Sequence, residues 1–285
     1  MTSIMITGAS GYVGSALVWH LSQKYCIIPI AYQNPGHGAR SVNLTDEREV
    51  AHLAEIESPD IIIHAAGKKA QACEEKPSSA RINELGAQLL VKHFPSTQIY
   101  DISTDFVFDG KKGRYTESDC PNPQTTYGKT KLAGEQAYSQ DKDCIVRTAG
   151  LFSTQPSGFI SYVLSRFSQG KSIEAFTNIY NTPTYLPYFC NHLEAIIEER
   201  LIGLFHVAGC ERVSRFEFAK LIARIFNYDE KLIRGVNAPE TFLSPHDLSL
   251  DSSMIRDVLK LEMDTLSNAL KEMYGKISTF ENRNP

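Results

Sequence analysis

Ser3-Ile4-Met5-Ile6-Thr7-Gly8-Ala9-Ser10-Gly11-Tyr12-Val13-Gly14 is the stretch on which the reading of the whole chain turns. Its first five residues are a short run centred on Ile4-Met5-Ile6, the signature of a strand covered on both faces. A glycine-rich turn follows at once, and then Val13, Leu17 and Leu21 recur at helical spacing. Strand, glycine turn, helix is the context that makes such glycines a phosphate site rather than a plain loop. Gly8 permits the tight turn, Gly11 lets backbone amides approach a pyrophosphate, and Gly14 lets the helix lie close to the strand. The helix N-terminus adds N–H donors and positive potential for the anion. Ser10, Tyr12 and Val13 belong to the same turn and count with it as candidate cofactor-binding residues. A glycine turn without a ligand is the blander alternative, and the flanking elements disfavour it.

Working outward, Ile27-Ile28-Pro29-Ile30-Ala31-Tyr32 reads as a second strand. A ribose-binding acid would stand at its end if the cofactor were NAD, but the residues there are Gln33-Asn34-Pro35. Arg40 follows a Gly36-His37-Gly38 loop. An absent acid and an available arginine favour a 2′-phosphate, so NADP(H) is expected ahead of NAD(H), which the sequence also admits. Arg40 reads equally well as a solvated loop charge. Val42 to Asp46 precede a helix from Glu47 to Glu57, with Asp46 a candidate adenine contact and Thr45 a candidate cap. Ile61-Ile62-Ile63-His64-Ala65-Ala66-Gly67 is a continuous apolar run, as in a buried parallel strand. His64 at its end is read as packed, since no second metal-ligating residue stands at useful spacing, and no metal is expected. A helix carrying Asn83, Leu89 and Leu90 leads to the strand Gln98 to Ser103 and its Thr104-Asp105 tip. Strands and helices alternate throughout, which predicts right-handed βαβ units and an α/β doubly wound parallel sheet of the Rossmann type.

Beyond that tip come a polar loop and Tyr127-Gly128-Lys129-Thr130-Lys131-Leu132-Ala133-Gly134-Glu135. Tyr127 and Lys131 are four residues apart and share one helix face. A phenol beside an ammonium releases its proton more easily, because the positive charge favours the phenolate. Such a pair suits proton transfer to a carbonyl or from an alcohol. Taken alone, Tyr-x-x-x-Lys is common on solvated helices. Here it stands behind a glycine turn and a Ser-Thr strand end.

The second half is less regular. Cys144 to Thr148 reads as a buried strand, Phe159 to Gln169 as a helix, Ile173 to Phe176 as a strand and Asn181 to Tyr185 as a turn. Leu193 to Arg200 reads as a helix, Gly203 to Gly209 as a strand and Phe216 to Phe226 as an amphipathic helix. The expected organisation is a dinucleotide-binding domain over 1–150, which strands near 173–176 and 203–208 rejoin. Residues 151–285 are expected to form mainly a smaller α/β substrate lobe that closes over the cofactor. The 285 residues include 42% hydrophobic and 22% charged side chains, with a net charge of −4. Lys and Arg cluster no further than pairs such as Lys68-Lys69, so no nucleic-acid footprint is read. No stretch approaches the ~18 apolar residues of a membrane span. Six scattered cysteines without a CxxC pair read as reduced thiols, and a cytoplasmic protein is expected. The sequence is open to a homodimer.

These residues resemble the extended short-chain dehydrogenase/reductase family and, within it, the dTDP-4-dehydrorhamnose reductases. The likeness is carried by the Gly8–Gly14 turn, Pro59 to Ala66, Ile102-Ser103-Thr104-Asp105-Phe106-Val107-Phe108-Asp109-Gly110, Tyr115-Thr116-Glu117, the Tyr127–Glu135 segment, Arg147-Thr148 and Pro183-Thr184-Tyr185. The resemblance implies that Gly8, Gly11 and Gly14 face the pyrophosphate and that Ala65, Ala66 and Gly67 pass under the adenosine. It implies that Thr104 holds a ketone oxygen, Tyr127 delivers the proton, and Lys131 binds the nicotinamide ribose and lowers the Tyr127 pKa. Asp105, Phe106 and Thr184 are then candidate substrate contacts, and a nucleotide-linked 4-keto-6-deoxysugar the substrate.

Three residues depart from that pattern. Gly150 stands where the family usually has tryptophan, Tyr188 where an acid is common, and Ser244 where an arginine usually precedes a proline. All three bear on the sugar rather than on the hydride and proton. A sugar-nucleotide epimerase or dehydratase is the first alternative, although Thr104 is followed by Asp105-Phe106 rather than the Asp-Glu pair usual in dehydratases. The second is a non-catalytic NADP-binding regulatory subunit resembling the β subunit of methionine adenosyltransferase.

Overall fold

The structure is a computed structural model that describes residues 1–33, 35–36, 38–76, 80–155, 157–239, 245–261 and 265–283, with the side chains of 280–283 left aside. Ser244 therefore lies outside the described residues. The chain divides into two compact units, each assembled from three segments.

The first unit comprises Met1–Asp109, Cys120–Arg147 and Cys190–Phe205. Its strands are β1 (Ser3–Thr7), β2 (Cys26–Ala31), β3 (Arg40–Ser41), β4 (Ile61–His64), β5 (Gln98–Thr104), β6 (Cys144–Thr148) and β11 (Gly203–His206). They form one seven-stranded sheet in the order β11-β6-β5-β4-β1-β2-β3. β1 runs parallel to both β2 and β4, and β4 parallel to β5. Ile4, Met5, Ile6, Ile62 and Ile63 are fully buried, as the unbroken apolar runs require of strands covered on both faces. The chain winds one way from β1 to β3 and the other way from β4 to β6. The switch point falls between β1 and β4, where ligands of such sheets bind beyond the carboxyl ends of the strands.

Helices α1 (Tyr12–Leu21), α2 (Glu47–Ile56), α3 (Ala70–Glu75), α4 (Arg81–His93) and α5 (Thr126–Glu135) flank this sheet. The cap of α2 is Asp46, read above as a candidate adenine contact, rather than Thr45; its carboxylate accepts from the Arg48 amide at 2.9 Å. Helix α5 lies unusually close to its neighbours. A Cβ on Gly128 would sit 2.1 Å from the Phe106 carbonyl oxygen, and one on Gly134 2.3 Å from that of Asn83. The end of α5 is tied down by Glu135, whose carboxylate accepts from Arg147 Nε at 2.9 Å and Nη2 at 2.6 Å, and also from the Ser103 hydroxyl. Glu135 and Arg147 are only 6% and 3% exposed, so neither charge has water to fall back on.

The second unit comprises Gly110–Asp119, Thr148–Phe189 and His206–Pro285. It contains β7 (Leu151–Phe152), α6 (Gly158–Ser168), β8 (Ile173–Phe176), β9 (Tyr180–Asn181), β10 (Thr184–Tyr185), β12 (Val213–Ser214), α8 (Arg215–Ile225), β13 (Ile233–Val236), α9 (Ser253–Leu259) and α10 (Leu266–Arg283). Helix α7 (Leu186–Glu198) carries the chain on into the first unit. Short two-stranded ladders replace the large sheet: β10 with β7, β12 with β9, and β13 with β8. The expectation that 173–176 rejoins the main sheet is corrected here. Ile173 and Ala175 are buried while Glu174 is exposed, so β8 is one-sided. Its apolar face joins Phe167, Phe218, Ile222 and Leu270 in this unit's own core. The turn expected over 181–185 is two two-residue strands separated by Thr182-Pro183.

Arg147→Met leaves Glu135 as an uncompensated buried charge, and we expect a loss of about 3–5 kcal/mol of unfolding free energy. Arg234→Met, at the exposed Arg234–Glu174 pair, should cost about 1 kcal/mol or less. Urea unfolding of the two variants side by side measures the difference.

Candidate active site

A cavity of about 450 Å³ opens at the switch point of the first unit. Gly8, Ser10 and Gly11 line it from the turn after β1, Ala65, Ala66 and Gly67 from the segment after β4, and Arg81, Ile82 and Leu85 from α4. Gly8 has φ +71°, a left-handed conformation natural to glycine. A Cβ there would also lie 2.7 Å from Ala66 Cα, so the two loops that line the cavity touch through this residue. No side chain caps α1 at Gly11, and its first turn holds no acid. That helix end is thus receptive to an anion.

Other expected cofactor residues are placed differently. Gly14 closes the turn, where a Cβ would come 2.1 Å from the Gly8 carbonyl oxygen, but neither it nor Val13 lines the cavity. The Tyr12 ring packs with the Lys69 ammonium 5.7 Å from its centre. Arg40 is also away from the cavity lining. Its guanidinium is held by Glu57 at 2.8 Å, an acid from the far end of α2 that the sequence did not pair with it.

The structure brings Thr104, Tyr127 and Lys131 into the first unit together with this cavity. Thr104 is 5% exposed at the end of β5. Its hydroxyl donates to Asp105 Oδ1 at 2.9 Å and accepts from the Phe106 amide at 3.3 Å. Phe106 stands edge-on to Tyr127, with ring centroids 5.6 Å apart. The N-terminus of α5 is fixed twice. The Thr125 hydroxyl accepts from the Gly128 amide, and Glu74 of α3 accepts from the Thr126 amide and hydroxyl at 2.7 and 2.9 Å. The lysine is where the sequence reading needs correction. Lys131 Nζ lies 3.3 Å from both carboxylate oxygens of Asp101, with both side chains buried. Burial is the largest influence on the Tyr127 phenol and raises its pKa above the usual tyrosine value. The Thr104 hydroxyl pulls it down, while Asp105, Cys73 and Asp101 push it further up. The phenol is therefore a firmly protonated donor rather than an acidified one.

Several residues that shape the site escaped the sequence reading. Asp101, Glu135 and Arg147 look unremarkable until the partner of each is known. Asn83 is fully buried on α4. It accepts from the Lys68 amide at 2.8 Å and donates to the Thr130 hydroxyl at 3.1 Å, joining the cavity loop to α5. A polar residue among the apolar positions of a helix was the available signal. In the second unit, the Thr184 hydroxyl is 2.7 Å from the Ala149 carbonyl oxygen and accepts from the Gly209 amide at 3.0 Å. This residue, a candidate substrate contact, ties segments of its own unit together. Gly150 has φ +53°, and a Cβ on it would meet Asn181 Oδ1 at 3.0 Å and Pro183 Cα at 3.3 Å. Tyr188 donates to Glu272 of α10 at 2.9 Å. No group of three or more His, Cys, Asp or Glu among the described residues could hold a metal. No described helix is long and apolar enough to cross a membrane.

A glycine turn at the switch point of a doubly wound sheet, with a Thr-tipped strand and a Tyr-x-x-x-Lys helix in the same unit, defines the extended short-chain dehydrogenase/reductase class, and this chain is a member of it. Within the class, the family model described as the RmlD substrate binding domain matches residues 1–279, and the chain belongs to that family. Among solved structures, it is 35% identical to a hypothetical dTDP-4-dehydrorhamnose reductase from Sulfolobus tokodaii, with a TM-score of 0.86 over 94% of this chain and 99% of the other. A dTDP-4-dehydrorhamnose reductase from Bacillus anthracis in complex with NADP is 26% identical, with a TM-score of 0.86 over 97% of this chain and 99% of that one. The chain is also 28% identical to methionine adenosyltransferase 2 subunit beta of Rattus norvegicus, over 82% of its own length and 75% of that protein.

His64 provides a test of the packing beneath the cavity. It is fully buried beside β1, with Nδ1 2.7 Å from the Thr7 hydroxyl. Burial first, and then the Lys131 charge, bring its pKa down from 6.5 to about 3. The folded state keeps it neutral while the unfolded chain takes up a proton. The stability it contributes is thus present above pH 6.5 and is lost as pH falls towards 3. Between those limits the wild type should lose up to about 1.4 kcal/mol per pH unit from this residue. Urea unfolding of His64→Asn across the same range should lack that slope.

Proposed function

We propose that this chain is an NADPH-dependent reductase of a nucleotide-linked 4-keto-6-deoxysugar, with Tyr127 as the proton donor. The observation that carries the reading is the placement of Thr104, at the tip of β5, and Tyr127, whose ring stands edge-on to the neighbouring Phe106, in the unit that also holds the glycine-lined cavity. The cavity residues fit a dinucleotide. A side chain at Gly8 would fill the cradle against Ala66, and the uncapped start of α1 suits a pyrophosphate. Gly8, Ser10, Gly11, Ala65, Ala66 and Gly67 would hold it there, and when bound the reduced nicotinamide supplies the hydride.

The rest is done by side chains of the chain itself. Thr104 exchanges its hydrogen bond to Asp105 for one to the ketone oxygen. Tyr127, kept protonated by burial, gives that oxygen its proton. Lys131 has three donors, and its two contacts to Asp101 leave at least one for a ribose hydroxyl. The name of the Bacillus anthracis relative, a reductase in complex with NADP, supports both the substrate class and the cofactor. With Arg40 held by Glu57, Arg81 in the cavity lining is the arginine placed to favour a 2′-phosphate. The altered residues at Gly150, Tyr188 and Ser244 argue for a sugar that differs from that of the reductases it resembles.

A second reading draws on the likeness to methionine adenosyltransferase 2 subunit beta: a regulatory subunit that uses the same cavity without turnover. The intact Thr104, Tyr127 and Lys131 argue for catalysis.

The test is NADPH consumption by the purified protein with a panel of nucleotide-linked 4-keto-6-deoxysugars. We expect oxidation with at least one, and silence with all of them, alongside a co-purifying partner, would leave the regulatory reading standing. Tyr127→Phe should lower kcat about 100-fold or more with NADPH affinity kept, whereas Lys131→Ala should weaken both. For the cofactor, titration of nicotinamide fluorescence should show Arg40→Ala within about twofold of wild type for NADPH, since an exposed ion pair is worth little. Arg81→Ala should lose affinity for NADPH more than for NADH.

A further inference from the structure

Asp101 is a buried carboxylate close to the candidate active site, and the chemistry above gives it no part. It lies on β5, three residues before Thr104, and is 1% exposed. Burying a carboxylate is unfavourable unless its charge is compensated. A strand covered on both faces would ordinarily carry an apolar residue there. The compensation comes from α5. Tyr127, Lys131 and Glu135 follow one another at intervals of four and form one stripe of that helix. Asp101 and Ser103, on a common face of β5, contact the second and third members of the stripe.

We propose that Asp101 is a positioning residue for the Tyr127 site, which holds the Lys131 ammonium in place and offsets its positive charge. The proposal rests on the reading of Tyr127 as the proton donor. Both Asp101–Lys131 contacts, at 3.3 Å, are longer than the roughly 2.7–2.9 Å of a strong charge-assisted hydrogen bond. The ammonium is thus confined but keeps freedom to turn a proton towards a third acceptor. The charge bookkeeping is simple near neutral pH. His64, beside Asp101 in the β4–β5 register, is neutral. Tyr138, 3.4 Å from Asp101, and Cys144 on β6 are held protonated by burial. Burial pushes the Cys73 thiol up, so near neutral pH it is uncharged, as the Thr104 hydroxyl is, which leaves Asp105 as the other carboxylate that acts on the phenol. With Lys131 held against it, Asp101 still acts on Tyr127 in the raising direction, and the phenol keeps the proton it has to give. Without the carboxylate, the bare ammonium would draw the phenol towards phenolate. Asp101 thereby biases the site to ketone reduction over alcohol oxidation.

The test needs neither cofactor nor substrate. Carbon NMR of protein labelled at tyrosine Cζ follows phenol ionisation, with the Tyr127 resonance identified by its loss in Tyr127→Phe. In Asp101→Asn, which keeps an acceptor for Lys131 and removes the charge, ionisation of Tyr127 should set in about one pH unit or more lower than in wild type. Asp101→Thr, a strand-forming alternative, should shift it in the same direction. An unchanged onset in a folded variant would overturn the proposal. The carboxyl carbon of Asp101 in the wild type decides independently of any variant. It should report an ionised group at neutral pH, and a protonated one would equally overturn the proposal. If the wild type oxidises no NADPH with any sugar, the reductase reading falls while these titrations still decide the role of Asp101.

Discussion

Everything at the candidate site depends on how closely α5 can lie against α4 and the turn that follows β5. The helix carries both the phenol and the ammonium, and its approach is limited by backbone rather than by side chains. Gly128 and Gly134 admit carbonyl oxygens of Phe106 and Asn83 to distances at which no Cβ could stand. The buried Glu135–Arg147 pair then fixes the helix end, while Glu74 and Thr125 fix its start. Such a pair adds little net stability compared with apolar residues of similar size. What it adds is register: α5 cannot slide along β5 without stranding a charge.

The electrostatics follow from that closeness. Packing removes water from His64 and Asp101 almost completely and from the half-buried Tyr127 in part. Desolvation acts on each according to the charge it would carry: the phenol and the acid are pushed up and the imidazole down. One lysine, Lys131, acts on both His64 and Asp101. A site built this way does not depend on a strongly acidic donor, because its donor has only to remain protonated until a carbonyl oxygen gains negative charge.

Much of this was legible in the sequence, and for a physical reason. Strands covered on both faces must be apolar throughout, so β1 and β4 announce themselves, and the glycine turn between β1 and α1 is dictated by backbone geometry alone. The strand tip at Thr104 and the Tyr127–Lys131 spacing are local features too. What could not be read was pairwise and distant. Arg40 looked free because Glu57 stands at the other end of a helix, and Lys131 looked available to Tyr127 because Asp101 was just one more residue of β5. The two-residue strands β7, β9, β10 and β12 are too short for any period to appear. Helix α10 is different. Leu266, Ala269-Leu270, Met273 and Ile277 recur at helical spacing, so its signal is present in the sequence.

The way the chain is divided between its two units bears on how it is made. The short segment Gly110–Asp119 belongs to the second unit, although its flanks belong to the first. Its backbone is engaged far along the chain. The Arg114 amide donates to the Ser249 hydroxyl at 2.7 Å across 135 residues, and Tyr115 bridges to Leu250. On the ribosome, that segment emerges long before its partners exist. The sheet around β1 to β5 can collapse early from local βαβ units, while the second unit must wait until Ser249 and Leu250 have left the exit tunnel. Closing so long a loop is slow. During that interval the apolar faces of α6 and β8 are bare, which makes chaperone demand and aggregation in the course of synthesis properties of the second unit rather than of the first.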